Sequence, residues 1–308
     1  MNAIIRSLTI LRVSNSQQML GLLLAIGAAL GFSAKAIFIK LAYNYNVDAI
    51  TLLMFRMAFA LPFFMVIAII EERKAVAPVG LRNMLMITLL GLIGYYLSSL
   101  LDFIGLQYIT AGLERLILFI YPTIVVIISA LFLGKRIKKE ALIALALSYI
   151  GIAFAMYHDV QLSGEHALFG SALIFGATLT YSLFLVGSGE VIPKVGARRF
   201  TAYAMIVSCF VIILQFILLR DVSDLQQAMP VYAYGFAMAL FSTVIPAFLL
   251  AAAIQRIGAG NTSIIGILGP VATIAMAALV LNEPASLMQM IGAFFVIAGI
   301  FVLGMKKS

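Results

Sequence analysis

The stretch MLGLLLAIGAALGFSAKAIFIKL, Met19 to Leu41, decides the fold class. About 20 predominantly apolar residues are enough for a helix to cross the hydrocarbon core of a bilayer, and this run exceeds that. Lys35 lies well inside it. An ammonium at the centre of a membrane helix costs roughly 2.5–3.5 kcal/mol on insertion scales, so such a residue is kept where it faces a polar interior or a partner. Gly27 and Gly31 give the same helix a small-residue face for close packing, and Ser33 adds to a polar stripe. The stretch therefore predicts one member of a membrane bundle with polar groups inside.

The rest of the chain extends this reading. Of 308 residues, 64% are hydrophobic and only 10% charged, more apolar surface than a soluble domain of this size has use for. Hydropathy predicts ten spans, near 19–41, 48–70, 84–104, 110–133, 140–157, 168–188, 200–219, 231–255, 261–281 and 286–304. Residues 1–18, with Arg6 and Arg12 among Ile and Leu, read as a cytoplasmic segment able to lie on the membrane surface. The net charge of +8 does not point to nucleic acid, because the basic residues sit in short loops. Arg73, Lys74 and Arg82 follow the second span, and Lys135, Arg136, Lys138 and Lys139 the fourth. Lys194, Arg198 and Arg199 follow the sixth, Arg256 the eighth, and Lys306 and Lys307 the tenth. Every second loop is basic, as the positive-inside rule requires. Both termini are therefore expected in the cytoplasm, and the short loops suit a bacterial cytoplasmic membrane.

Cys209, the one cysteine, excludes a disulfide framework. His158 and His166 share one loop without metal-ligand spacing, so neither a metal nor a cofactor is expected. An enzyme would need catalytic groups clustered at one interface, and only His158, Asp159, Glu165 and His166 come near that. They read better as a solvated loop.

The two halves resemble each other. Gln107, Ala111, Gly112 and Pro122 recur 148 residues later as Gln255, Ala259, Gly260 and Pro270, and Gly151-Ile152 as Gly299-Ile300. Gly27-Ala28 and Ser33 recur at an offset of 149 as Gly176-Ala177 and Ser182. Five spans per repeat is odd, so the second half must enter the membrane from the opposite side. The expected organisation is a repeat at 19–157, a linker loop at 158–167, an inverted repeat at 168–304 and a tail at 305–308. Inverted repeats are a recurrent carrier plan, with the binding site near the midplane.

The order of short motifs is similar to that of the drug/metabolite transporter superfamily, in its ten-helix EamA-type branch. The matching pieces are Gly27 to Ser33 with Lys40, Phe55-Arg56-Met57-Ala58 with Pro62, Ala111-Gly112 through Tyr121-Pro122 to Lys135-Arg136, and Ile265 to Pro270 with Leu281-Asn282-Glu283-Pro284. The resemblance implies export or exchange of small metabolites through a central cavity lined by helices 1, 3, 4, 6, 8 and 9. Within the superfamily the chain looks closest to amino-acid exporters, including the aromatic (YddG-like) type. Where the family's first helix usually carries Trp, this chain has Phe32, and it has no Trp at all, so any aromatic wall must be Phe and Tyr.

Candidate site residues follow from buried polarity. Lys35 can hold a substrate carboxylate, or it can pair internally with Asp102 or Glu114. Arg56, a fixed multi-donor, can tie helix ends together. Glu114 suits the start of its helix through the dipole. Arg115 does not, so Asp102 or Glu283 is expected as its partner in an outer latch. Tyr95, Ser99 and Asp102 follow an i, i+4, i+7 stripe, and Tyr181 and Ser182 mark a similar face in the sixth helix. Single hydroxyls in membrane helices commonly bond back to their own backbone. The aromatic stripe better suits a pocket that stacks apolar groups. The expected pocket therefore comprises Lys35, Ser33, Tyr95, Ser99, Tyr181 and Ser182. Pro122 and Pro270 each remove a backbone donor, which gives either static curvature or paired hinges.

No Asp or Glu lies near the middle of a span, which favours a carboxylate-bearing substrate such as an amino acid over a cationic drug. The chain reads as a carrier working by alternating access. A multidrug or quaternary-amine exporter is the alternative, and a passive channel or a membrane enzyme stands further off. Expected partners are a small-molecule substrate and the lipid bilayer. A homo-oligomer stays open.

Overall fold

The computed structural model describes residues 2–75, 77–133, 166–250, 268–283 and 286–304, with short pieces between 139 and 157 and between 252 and 256; side-chain detail begins at Gln18. Apart from short connections, the chain is helical in these residues, with no strand among them. In order they form α1 (Asn2–Tyr43), α2 (Ala49–Lys74), α3 (Leu81–Gly105), α4 (Ala111–Leu118), α5 (Tyr121–Leu133), α6 (His166–Val195), α7 (Ala197–Leu219), α8 (Met229–Leu250), α9 (Leu268–Val280) and α10 (Leu287–Gly304). Among the described residues, seven helical stretches are long and apolar enough to cross a membrane, the fourth running Ala111–Ile128 through α4 and α5. Shorter apolar helices follow at Leu268–Val280 and Leu287–Gly299. The expected fifth span is described only in pieces, which are helical, while the 158–165 part of the linker loop, most of the fourth basic loop and the repeat partners Gln255, Ala259 and Gly260 lie outside the described residues.

Local chemistry sets the helix starts. Asp48 caps α2, accepting from Ile50 N at 2.9 Å and Thr51 N at 3.2 Å. Thr110 caps α4 through Leu113 N at 3.2 Å. Each side-chain oxygen satisfies a backbone donor that has no intrahelical partner.

The expected fourth helix is two helices. Phe119 and Ile120 form a turn between α4 and α5, closed by Ile120 N to Ile117 O at 3.2 Å and Thr123 N to Ile120 O at 3.0 Å. Pro122 is the second residue of α5, where its missing N–H costs nothing. Proline thus breaks the helix just before itself instead of bending it. α6 covers the break. Thr178 Oγ1 lies 3.5 Å from Ile117 O, and Ser182 Oγ lies 3.4 Å from Tyr121 O.

Two other helices are interrupted differently. α3 is π-helical over Leu92–Leu97, and α8 over Leu240–Val244. The two starts are 148 residues apart, the offset of the Gln and Pro coincidences in the sequence. Both turns sit at tight helix contacts. A Cβ at Gly94 would overlap the Phe184 side chain, and one at Gly31 of α1 would come 2.5 Å from Pro246 Cγ and 2.7 Å from Phe241 O. Only glycine lets these backbones approach so closely.

The main core forms where α2 packs on α7. Leu52, Leu53 and Met57 meet Cys209 and Ile212 there, and the Cys209 thiol lies 3.9 Å from the Met57 sulfur. The same two helices are pinned at both ends. At one end Arg199 Nε and Nη2 donate to Glu72 at 2.7 and 2.6 Å, Arg199 Nη1 donates to Ala77 O at 3.0 Å, and Tyr203 adds a bond to Glu72 at 2.7 Å. At the other end Arg220 Nε and Nη2 donate to Asp48 Oδ1 at 3.1 and 3.0 Å.

Candidate functional site

Charges carried by separate apolar helices converge on one cluster. Lys35 Nζ of α1 donates to Asp102 Oδ2 of α3 at 2.7 Å and lies 3.1 Å from Glu114 Oε1 of α4. Asp102 is 3% exposed and Glu114 fully buried. Neither carboxylate lies mid-span in the sequence, so their weight was invisible there. Helix packing carries them both onto the Lys35 ammonium, and the sequence argument from an absence of interior carboxylates does not hold in the folded chain. Desolvating such charges is costly unless they are paired, which is why the cluster forms.

Arg56 is buried beside it. Its Nε donates to Thr243 Oγ1, in the π-turn of α8, at 2.9 Å, and its guanidinium lies 5.5 Å from the centre of the Phe103 ring. Thr243 in turn donates to Met238 O at 3.0 Å. Arg56 thus ties α2 to α8 through a side-chain hydroxyl, where helix-end carbonyls were expected.

Arg115 is partly exposed and meets neither expected partner. Lys35 takes Asp102, and Glu283 accepts the Ala111 N–H at the start of α4 at 3.1 Å. Arg115 Nη2 instead lies 3.5 Å from Ser33 Oγ. Ser33 is buried, with its hydroxyl 2.7 Å from Ala29 O and 3.1 Å from Gly269 O, so it joins α1 to α9 beside the buried Pro270.

Next to the charges runs a wall of rings. Tyr95 lies 4.7 Å from Phe184, Phe184 5.8 Å from Tyr181, Tyr181 5.8 Å from Tyr121, and Tyr121 6.2 Å from Phe119. Tyr95, Tyr121 and Tyr181 are each partly buried. The wall passes from α3 across α6 to the α4–α5 break.

The stripe expected on α3 divides. The π-turn falls within it, so Tyr95 packs on α6 while Asp102 meets α1 and α4; Ser99 is partly buried between them. Ser182 donates to Thr178 O at 2.7 Å, the backbone return common for helix hydroxyls. Pro122 opens α5, and Pro270 is the third residue of α9. Sequence reasoning missed both π-turns and the Arg199–Glu72 pin. Pro246 could have signalled the turn in α8. Nothing comparable marks α3.

A wide surface cleft of about 710 Å³ opens elsewhere, beside Asp48, Arg220 and Asp221. It touches none of the buried charges.

Comparison with known proteins agrees with this arrangement. The model of the EamA-like transporter family matches twice, over residues 19–157 and 168–305. "Uncharacterized transporter YcbK" of Bacillus subtilis is 30% identical over 282 residues, covering 87% of this chain and 88% of that one. A Salmonella typhimurium protein named "Probable amino-acid metabolite efflux pump" is 21% identical over 201 residues, covering 62% of this chain and 67% of the other. One solved crystal structure shares the fold with a TM-score of 0.63 at 14% identity, over 92% of this chain and 96% of that one. With both halves matched, the chain belongs to the EamA-like transporter family and is a multi-pass membrane transporter.

Proposed function

We propose that this transporter exports or exchanges small carboxylate-bearing metabolites, amino acids foremost, across the cytoplasmic membrane by alternating access. The observation that carries the reading is the charge balance of the interior. Lys35, Arg56 and Arg115 face two carboxylates, Asp102 and Glu114. Among these five described residues the surplus is positive, and it lies beside an aromatic wall. Such a lining favours an anionic group attached to an apolar or aromatic body. The relative named an amino-acid metabolite efflux pump supports the same class.

In this reading Lys35, Ser33 and Ser99 form the polar side of the pocket, and Tyr95, Tyr181 and Ser182 belong to its wall. Two inverted repeats of five spans, with both termini cytoplasmic, rock about the α4–α5 break at Pro122 and its counterpart at Pro270.

A second reading, export of quaternary amines or other cationic drugs, draws on the two buried carboxylates. Lys35 occupies both of them, which weighs against it.

Counterflow in proteoliposomes tests the two together. Vesicles loaded with an unlabelled amino acid should accumulate its labelled form, with saturation and trans-stimulation. Accumulation of a lipophilic quaternary amine alone would install the second reading. A flux without trans-stimulation would replace the carrier by a channel.

A further inference from the structure

The three interior cations are not equally committed. Lys35 is held by two carboxylates. Arg56 is held by Thr243 and the face of Phe103. Arg115 has one long contact, to Ser33 Oγ at 3.5 Å, and its buried Nε has no hydrogen-bond partner. Among the described residues no carboxylate lies within ion-pair distance of it. A guanidinium inside a membrane protein does not stay without a counter-ion at no cost.

Arg115 also stands one helical turn before the end of the ring wall. Its carbonyl accepts the Phe119 N–H at 3.1 Å, and the Phe119 ring meets Tyr121. Opposite Arg115 stands Gly269 of α9, where a Cβ would lie 2.8 Å from Nη2. The absent side chain leaves the fork its position.

Building on the transporter reading above, we infer that Arg115 is the substrate anchor: its guanidinium takes the carboxylate of an organic anion whose apolar body lies along Tyr121, Tyr181 and Phe184. Lys35 is then a scaffold charge that fixes Asp102 and Glu114, and not the group that meets substrate. The planar fork of Arg matches a carboxylate with two parallel hydrogen bonds, which a Lys ammonium cannot reproduce. The substrate class is a carboxylate with an aromatic or large aliphatic side chain, and an amine lacking the carboxylate binds more weakly.

The test is equilibrium binding to the purified full chain in detergent, followed by calorimetry. The probes are 3-phenylpropionate and phenethylamine, which carry the same ring with opposite charge. Wild type should bind the carboxylate at least about tenfold more tightly than the amine. Arg115→Gln should lose about 30-fold for the carboxylate and little for the amine, with Arg115→Lys intermediate. If Arg115→Gln does not fold, Gly269→Ala decides, because its methyl displaces the guanidinium and should weaken carboxylate binding by about three- to tenfold. Unchanged carboxylate affinity in the variant that decides, preference of wild type for the amine, or binding of neither probe overturns the assignment. Binding is read without transport, so a chain that shows no amino-acid counterflow yet binds phenylpropionate through Arg115 sinks the amino-acid reading and leaves this one standing.

Discussion

The π-turns of α3 and α8 occupy equivalent places in the two halves, yet different means produce them. In α8 the cause is covalent. Pro246 has no N–H for the Ser242 carbonyl, and its ring crowds that carbonyl, so the helix widens ahead of it. In α3 the equivalent residue is Ser98, which has its N–H. Here packing holds the turn: Gly94 lies against Phe184, Tyr95 sits tilted by 56° against the same ring, and Ser98 Oγ donates to Ala177 O at 3.0 Å. The repeat has kept a backbone shape while exchanging the residues that make it. π-turns inside α-helices are frequent at functional sites, and each of these two supplies a side chain to the interior, Tyr95 to the ring wall and Thr243 to Arg56.

Substitutions can break this parallel. The largest effect is expected at Gly94. Gly94→Ala forces a methyl into the Phe184 side chain and should destabilise by about 2–3 kcal/mol, the upper range of overpacking; Gly94→Leu should prevent folding. Thermal melting in detergent checks both, and a Gly94→Ala melting point equal to wild type would mean that packing does not hold the α3 turn. Next comes Thr243→Val, of similar volume, which leaves the Arg56 Nε without its acceptor. A loss of about 1–3 kcal/mol is expected, and Thr243→Ser should recover most of it.

The pins between α2 and α7 repeat the lesson in charge. Glu72 and Arg220 stand 148 residues apart with opposite signs, and each pairs with the facing helix. Arg199→Ala removes a bidentate pair and a carbonyl bond, and should cost about 1–2 kcal/mol after allowance for the partly exposed Glu72. Arg220→Ala should cost about 0.5 kcal/mol, since both partners are about one-third exposed. Equal melting shifts for the two variants would erase the distinction between the ends.

The smallest effect is a pH dependence at the Asp48 end. Partial burial pushes the Asp48 carboxyl up, but the hydrogen bonds from Thr51 and Arg220 together with the Arg220 charge outweigh it and hold the group below its ordinary 3.8. A lowered folded value means that the contribution is complete above 3.8 and is lost as the pH falls through the lower folded value. Arg220→Ala should shrink this acid-side loss in a melting series from pH 5 down to pH 2.

What the sequence made legible follows from how much each feature depends on distant residues. The apolar run from Met19 to Leu41 is legible because the bilayer imposes its length and composition. The pairing of Lys35 with Asp102 or Glu114 was legible as an alternative, because a charge in an apolar helix needs a partner and few were on offer. That both carboxylates would reach it was not, since it depends on how α3 and α4 pack around α1. Arg115 read as half of a latch because its two candidate partners are close in depth, and only the fold shows both engaged elsewhere. Arg199 read as one of several loop charges that orient the chain. Its bidentate match with Glu72 spans 127 positions and leaves no local trace.

The doubly pinned pair of α2 and α7 has a consequence for lipids. A seam fastened at both ends and filled by Leu52, Leu53, Met57 and Ile212 between them resists parting, and the gap left near its Arg199 end, lined by Phe64, Ile67, Thr201 and Phe248, is small. Between the four side chains that fill the seam, an acyl chain finds little room to slip inward.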